Sequence, residues 1–205
     1  MLNLKKIAVI GDLASGKSST CNFFKKKGLY VLSCDDIVHN LLSSNITVKK
    51  QIEELFNSEI ITNNQIDREK LAEKAFSNSE KLEKLEKIIH PHVFKTIESQ
   101  FKKECRKNSN GLFIVEFPLL FETGHQKDYD IIIYVSADKN ICKQNWKKKN
   151  KRIEEYEKRE NRFIPSKEKI KKSDYVIENN SSLEDLEKKV LKLIKIINQK
   201  QISRR

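Results

Sequence analysis

The chain has 205 residues, of which 38% are hydrophobic and 34% charged, and its formal net charge is +12. That length suits one domain with room for an inserted subdomain, and it is enough to bury a sizeable core. No apolar run approaches the ~20 residues of a membrane span, and the first one stops at Asp12, too early for the core of a signal peptide. Four scattered cysteines (21, 34, 105 and 142) form no C-x-x-C pair, so the expectation is a cytoplasmic protein with reduced, mostly buried thiols and no membrane partner.

The first predicted strand, Lys6–Ile10, leads directly into Gly11-Asp-Leu-Ala-Ser-Gly16-Lys17-Ser18 and then an incipient helix, Thr20-Cys-Asn-Phe-Phe-Lys. Strand, G-x-x-x-x-G-K-S, helix is the context a phosphate-binding P-loop requires. A glycine turn followed by a surface lysine is the simpler alternative, but it needs neither the strand before nor the helix after. Backbone N–H groups of such a loop curl around an anionic phosphate, and the helix N-terminus adds its partial positive charge. Ala14, Ser15, Gly16, Lys17, Ser18 and Ser19 are therefore the expected nucleotide-binding residues. Lys17 reaches the β- and γ-phosphates, and the Ser18 hydroxyl completes a Mg²⁺ shell.

A second strand, Tyr30–Leu32, ends in Ser33-Cys-Asp35-Asp36. Ligands of α/β sheets bind at the carboxyl ends of parallel strands, where a carboxylate can orient an alcohol and accept its proton. Asp35 is expected to take that role, and Asp36 to cap the helix running to Leu42. Nearly eighty residues then read as helical, with Leu71, Ala75, Leu82, Leu85, Ile88 and Ile89 at helical spacing and a further helix, Val93 to Lys107, opened by Pro91. That is too long for an ordinary crossover, so a helical subdomain is expected. His90 and His92 flank Pro91, but an alternating pair without further ligands is poor zinc spacing.

Short apolar runs at Leu112–Phe117, Ile131–Val135 and Tyr175–Ile177 complete the predicted parallel sheet. Glu116 ends the first of these runs, where it either orders water around Mg²⁺ or supports a ligand. A last helix starts at a plausible cap, Ser182-Leu-Glu-Asp185, and carries a core stripe of Leu183, Leu186, Val190, Leu193 and Ile197. Residues 143–172 hold 13 Lys or Arg and 5 Glu, and 13 less 5 leaves +8 of the +12. Such a segment could follow a polynucleotide backbone or close over a polyphosphate. Trp146, Tyr156 and Phe163 are too far apart for interleaved base stacking, so the polyphosphate lid fits better and no nucleic-acid partner is expected.

A P-loop alone does not separate kinases from GTPases or motor ATPases. No glycine has Asp three residues before it, as a D-x-x-G would require, and Asn150-Lys-Arg-Ile lacks the aspartate of N-K-x-D. No strand ends in the Asp or Asp-Glu of a motor ATPase. A small-molecule kinase remains.

The chain resembles the dephospho-CoA kinase family over nearly its full length. The resemblance is carried, in order, by the P-loop; Asp35-Asp-Ile-Val-His39; Ile66-Asp67-Arg68-Glu-Lys-Leu71 with Phe76; Leu85-Glu-Lys-Ile-Ile-His90-Pro91; Glu116-Phe-Pro118-Leu-Leu-Phe-Glu122; and Ser173-Asp-Tyr-Val-Ile-Glu-Asn179. It implies transfer of the γ-phosphate of ATP to the ribose 3′-hydroxyl of dephospho-CoA, with Mg²⁺, by Asp35, Lys17 and Arg159. It also implies one P-loop kinase domain over 1–205 with a three-layer α/β fold and a parallel five-stranded sheet. The core would take about 1–35, 111–142 and 173–205, the CoA-binding insertion about 36–110 and the lid about 143–172. A monomer is the expected state.

Several positions depart from the family's pattern. Asp12 and Ala14 stand where it usually has glycine, and Ser33 where it has the first Asp of Asp-x-Asp. Lys143-Gln-Asn-Trp-Lys147-Lys-Lys replaces paired lid arginines, which leaves Arg159 as the bidentate clamp, and Phe163 replaces a glutamine. The alternatives are a P-loop kinase of another small alcohol or nucleotide, and a non-catalytic nucleotide-binding protein with a basic, nucleic-acid-contacting segment.

Overall fold

The computed structural model describes residues 3–107, 110–148 and 153–202. In chain order the elements begin β1 (Asn3–Gly11), α1 (Lys17–Lys26), β2 (Tyr30–Ser33), α2 (Cys34–Ser44) and α3 (Ile46–Phe56). A two-residue hairpin, β3 (Ile61–Thr62) and β4 (Gln65–Ile66), precedes α4 (Arg68–Phe76) and α5 (Ser79–Lys107). Then come β5 (Asn110–Glu116), β6 (Ile131–Ser136), α6 (Lys139–Lys147), α7 (Ile153–Glu160), α8 (Ser166–Lys171), β7 (Tyr175–Glu178) and α9 (Leu183–Ile202). Contacts gather these elements into two compact units, one of Met1–Leu32 with Glu104–Arg205 and one of Ser33–Lys103.

The first unit is built on a five-stranded sheet in the order β2-β5-β1-β6-β7. β1 runs parallel to both β5 and β6, with Ile7 opposite Ile114 and Ile131, and β6 runs parallel to β7. Side chains alternate across such strands, and the apolar runs are continuous because both faces are covered. Ile7, Val9, Leu112, Ile114, Ile133 and Val135 point to one face, where they pack with Phe24 of α1 and with Leu186, Val190, Leu193 and Ile197 of α9. The intervening Ala8, Ile10, Phe113, Val115, Ile132 and Tyr134 are buried on the other face. This is the expected α/β sheet. It places the end of β1, and hence the glycine loop, between β5 and β6.

The start of α9 agrees with expectation at its cap, where Asp185 N donates to Ser182 Oγ at 3.3 Å. Its stripe is one residue shorter than predicted, because Leu183 is 61% exposed. Leu183 is the first residue of the helix and is not part of the cluster in which Leu186 and its successors pack on the sheet. No described helix is long and apolar enough to cross a membrane.

The second unit is helical apart from the small hairpin. Its helices start where side chains replace missing backbone partners. Asn45 Oδ1 accepts from Val48 N at the head of α3, and Asp67 Oδ1 accepts from Glu69 N and Lys70 N at the head of α4. Ser33 caps α2, its Oγ accepting from Asp36 N at 3.3 Å, which corrects the expectation that Asp36 is the capping residue. Ser33 has extended backbone (φ −108°, ψ 127°) and precedes the helix, whereas Asp36 already lies in its first turn.

A second correction concerns Pro91, which does not open a helix but lies inside α5. The missing proline N–H removes one hydrogen bond to the preceding turn. An apolar stripe of Leu82, Leu85, Ile89, Val93 and Ile97, all buried, continues through the proline and holds both halves in one helix.

Candidate active site

Gly11 is the last residue of β1, and the loop it opens cannot accept a side chain there. A Cβ on Gly11 would lie 2.2 Å from the Val135 carbonyl oxygen, and one on Gly16 would lie 2.2 Å from Asn179 Nδ2. Gly16 also has φ +101°, a region that L-residues avoid. Both glycines of the motif are therefore required by geometry as well as by pattern. Ala14, with φ 60°, adopts the left-handed conformation without being glycine.

Neighbouring elements hold this loop by its backbone. Asn179 Nδ2, just beyond β7, donates to Ser15 O at 2.8 Å, and Asn145 Nδ2 of α6 donates to Ala14 O at 3.2 Å. Leu13 and Ala14 pack against a cluster of Cys142, Trp146 and Tyr156, in which the two rings meet edge to face at 5.9 Å. Burial, ahead of the nearby Asp12 charge, pushes the Cys142 thiol up to about 11, so it stays protonated and unreactive. None of the four cysteines is in a disulfide, and Cys21, Cys34 and Cys142 are buried.

Gly16 brings no capping side chain to α1, and the first turn of the helix has no acidic residue. Its N–H groups and dipole thus favour an anion. Lys17 begins the helix, and its buried ammonium donates to Gly11 O at 3.2 Å and Asp12 O at 2.7 Å. Ser18 Oγ donates to Glu116 Oε1 at 2.7 Å, which joins the loop to the end of β5. Ser19 follows on the same turn of α1. Among the described residues no group of three or more His, Cys, Asp or Glu could hold a metal ion. Ser18 and Glu116 instead offer a pair of oxygen donors, which suits Mg²⁺, an ion that keeps most of its waters and takes substrate phosphates as ligands.

The basic segment is fastened to this unit rather than extended. Its residues 149–152 lie outside the described ones. Lys143 pairs with Glu157 at 3.1 Å, and Lys139, which precedes the segment, with Glu160 at 3.0 Å, so two of the segment's five Glu are engaged by lysines. The Arg159 guanidinium lies over the Trp146 ring, 5.4 Å from its centroid. Lys169 of α8 is buried, donates to Glu122 Oε1 at 3.2 Å and sits over the Phe163 ring. Glu122 Oε1 also accepts from Ile164 N at 3.1 Å. Removing one partner of a buried ion pair strands the other charge. Lys169→Ala should therefore destabilise the protein by about 3–5 kcal/mol, measured by urea unfolding, and a loss below about 1 kcal/mol would mean that the pair is solvated.

Asp35 stands on the first turn of α2, exposed and directly after the carboxyl end of β2, with Asp36 beside it, also exposed. On the same helix His39 Nδ1 is 2.9 Å from Arg68 Nη1. A guanidinium can only donate, so Nδ1 is the acceptor. His90 stacks at a tilt on Phe94, with ring centroids 5.7 Å apart. The structure thus brings the loop residues Ala14 to Ser18 to the end of β5, where Ser18 meets Glu116. Sequence reasoning missed the residues that hold it, Asn145, Asn179 and Tyr134. Asn179 had a signal, since a polar residue just past the end of a parallel strand faces the ligand edge of the sheet.

The family profile described as CoaE, Dephospho-CoA kinase, matches residues 6–185. A relative named dephospho-CoA kinase, from Protochlamydia amoebophila (strain UWE25), is 43% identical over 195 residues, 94% of this chain and 96% of its own. TT1252 from Thermus thermophilus superposes with a TM-score of 0.78 at 27% identity, covering 94% of this chain and 97% of that one. Dephospho-CoA kinase from Campylobacter jejuni gives 0.64 at 26% identity with the same coverages. The match spans loop, insertion and basic segment alike, and this chain belongs to the dephospho-CoA kinase family.

Proposed function

We propose that the protein transfers the γ-phosphate of ATP to the ribose 3′-hydroxyl of dephospho-CoA, giving coenzyme A and ADP. The observation that carries this reading is the loop at the end of β1, with Lys17 buried beside it and Ser18 on Glu116, in a chain of this family. The loop N–H groups and the α1 dipole bind the phosphates. On binding, the Lys17 ammonium exchanges the Gly11 and Asp12 carbonyls for phosphate oxygens and neutralises charge as the phosphoryl group moves. Ser18 and Glu116 are the residues that would hold Mg²⁺, which would supply charge neutralisation to the phosphates.

Asp35 orients the acceptor hydroxyl and takes its proton as the new O–P bond forms and the bond from the γ-phosphorus to its bridging oxygen breaks. The helical unit Ser33–Lys103, which carries Asp35, His39 and Arg68, is assigned to the acceptor. Arg159 supplies the bidentate phosphate contact that the segment's lysines cannot. Reduced thiols and the absence of a membrane-crossing helix among the described residues support a cytoplasmic location.

The test is a coupled ADP-release assay with dephospho-CoA, adenosine and nucleoside monophosphates as acceptors. Turnover with dephospho-CoA alone is the expected result. Turnover with another acceptor would reassign the substrate, and none with any would leave a nucleotide-binding protein.

A further inference from the structure

Between its two glycines the loop reads Asp12-Leu-Ala-Ser15, and a local turn bond, Ser15 N to Asp12 O at 3.2 Å, is joined by contacts from elsewhere in the chain. Those contacts come from separate elements, Asn145 of α6 on Ala14 O and Asn179 beyond β7 on Ser15 O. The charged one is at Asp12. Its Oδ1 accepts from Tyr134 Oη of β6 and from Ser166 Oγ, the first residue of α8, each at 2.5 Å. Through its carbonyl the same residue accepts the Lys17 ammonium at 2.7 Å.

We propose that Asp12 is a positioning residue for ATP: its carboxylate locks α8 and β6 onto the phosphate loop, and its carbonyl sets the resting place of Lys17. This rests on the reading of the loop as the ATP site. A carboxylate one residue into such a loop would repel a polyphosphate if it faced the ligand. Two hydroxyl donors turn Oδ1 toward β6 and α8 instead, and hydrogen bonds to an ionised acceptor are about twice as strong as neutral ones. Tyr134 is fully buried, and burial together with the Asp12 bond raises its phenol well above the usual range, so it remains a donor. α8 is fixed at its other end by Lys169 on Glu122. A loop that cannot wander need not lose that freedom when nucleotide binds, and Asp12 also walls a cavity of ≈ 180 Å³ with Leu13, Glu160, Phe163 and Ser166.

The experiment measures kcat and KM for ATP, and KM for dephospho-CoA, in Ser166→Ala, Asp12→Ala, Asp12→Asn, the Asp12→Ala/Ser166→Ala pair and Lys17→Ala. Ser166→Ala should raise KM for ATP about tenfold, the scale of one charge-assisted hydrogen bond, with KM for the acceptor unchanged. Asp12→Ala should do at least as much. Asp12→Asn keeps an acceptor oxygen and loses only the charge-assisted half of each of its two bonds, so KM for ATP should rise about tenfold, clearly less than in Asp12→Ala, which loses both bonds whole. In the pair, the second change should add nothing. A merely structural role would lower the melting temperature and the active fraction without moving KM for ATP. The proposal is overturned by an unchanged KM in Ser166→Ala, by additive effects in the pair, or by Asp12→Asn as damaging as Asp12→Ala. Should Asp12→Ala fail to fold, Ser166→Ala and Asp12→Asn decide alone. Lys17→Ala separates the two levels: if it keeps full turnover, the ATP reading of the loop fails, whereas if it is inactive only the Asp12 role is in question.

Discussion

Lys17→Ala should reduce ADP release by about 10³-fold or more, because a full positive charge is withdrawn from the transferring phosphate in a site of low dielectric. The fold should survive. Lys17 is buried, and its ammonium serves two carbonyls, Gly11 O and Asp12 O. Losing those bonds should cost about 1–2 kcal/mol of stability, read as a modest shift in a thermal melt. α1 also packs on the sheet through apolar side chains, Phe24 and Cys21 among them, and these are untouched by the change. A folded Lys17→Ala protein with near-normal turnover would show that phosphoryl transfer takes place elsewhere.

Asp35→Asn should lower kcat by roughly 10²-fold or more, the scale of a lost general base, with KM for ATP little changed. The amide keeps the size and one hydrogen-bonding oxygen of the carboxylate but cannot accept the proton. Asp36→Asn should cost far less, and the structure sharpens this contrast. The helix is capped by Ser33, and Asp36 contributes only its backbone N–H to that cap, so the amide variant leaves the start of α2 intact. Steady-state kinetics of the two variants side by side provide the check. Equal losses would mean that the two carboxylates act together, and a larger loss at Asp36 would move the base by one residue.

Much of this protein is legible in local pattern. The glycine loop, the apolar strands and the α9 stripe involve residues within a few positions of one another, whose spacing is set by backbone period. That period is the same in any context, so the strands appeared near their predicted positions. The order of motifs along the chain carried the family.

Where the local pattern misled, a partner remote in sequence, or burial, decided the outcome. Pro91 should break a helix, yet the buried stripe on both sides outweighs one lost backbone bond. Leu183 fits the spacing of the α9 stripe but is left out of the core cluster that covers the rest of it. The sequence shows only the net +8 of 143–172, and the fold adds that Lys143 pairs with Glu157 and that Lys169 is buried against Glu122. Asp12 in the loop was only an anomaly in the sequence. Its two donors are 122 and 154 residues away, and Asn179, which holds Ser15, is 164 residues from it. The sequence by itself determined the elements and the phosphate loop, because those depend on neighbours. Only the tertiary structure decided what holds the loop in shape, because hydrogen bonds between side chains so far apart exist only once the sheet has brought the ends of β1, β6 and β7 to one edge.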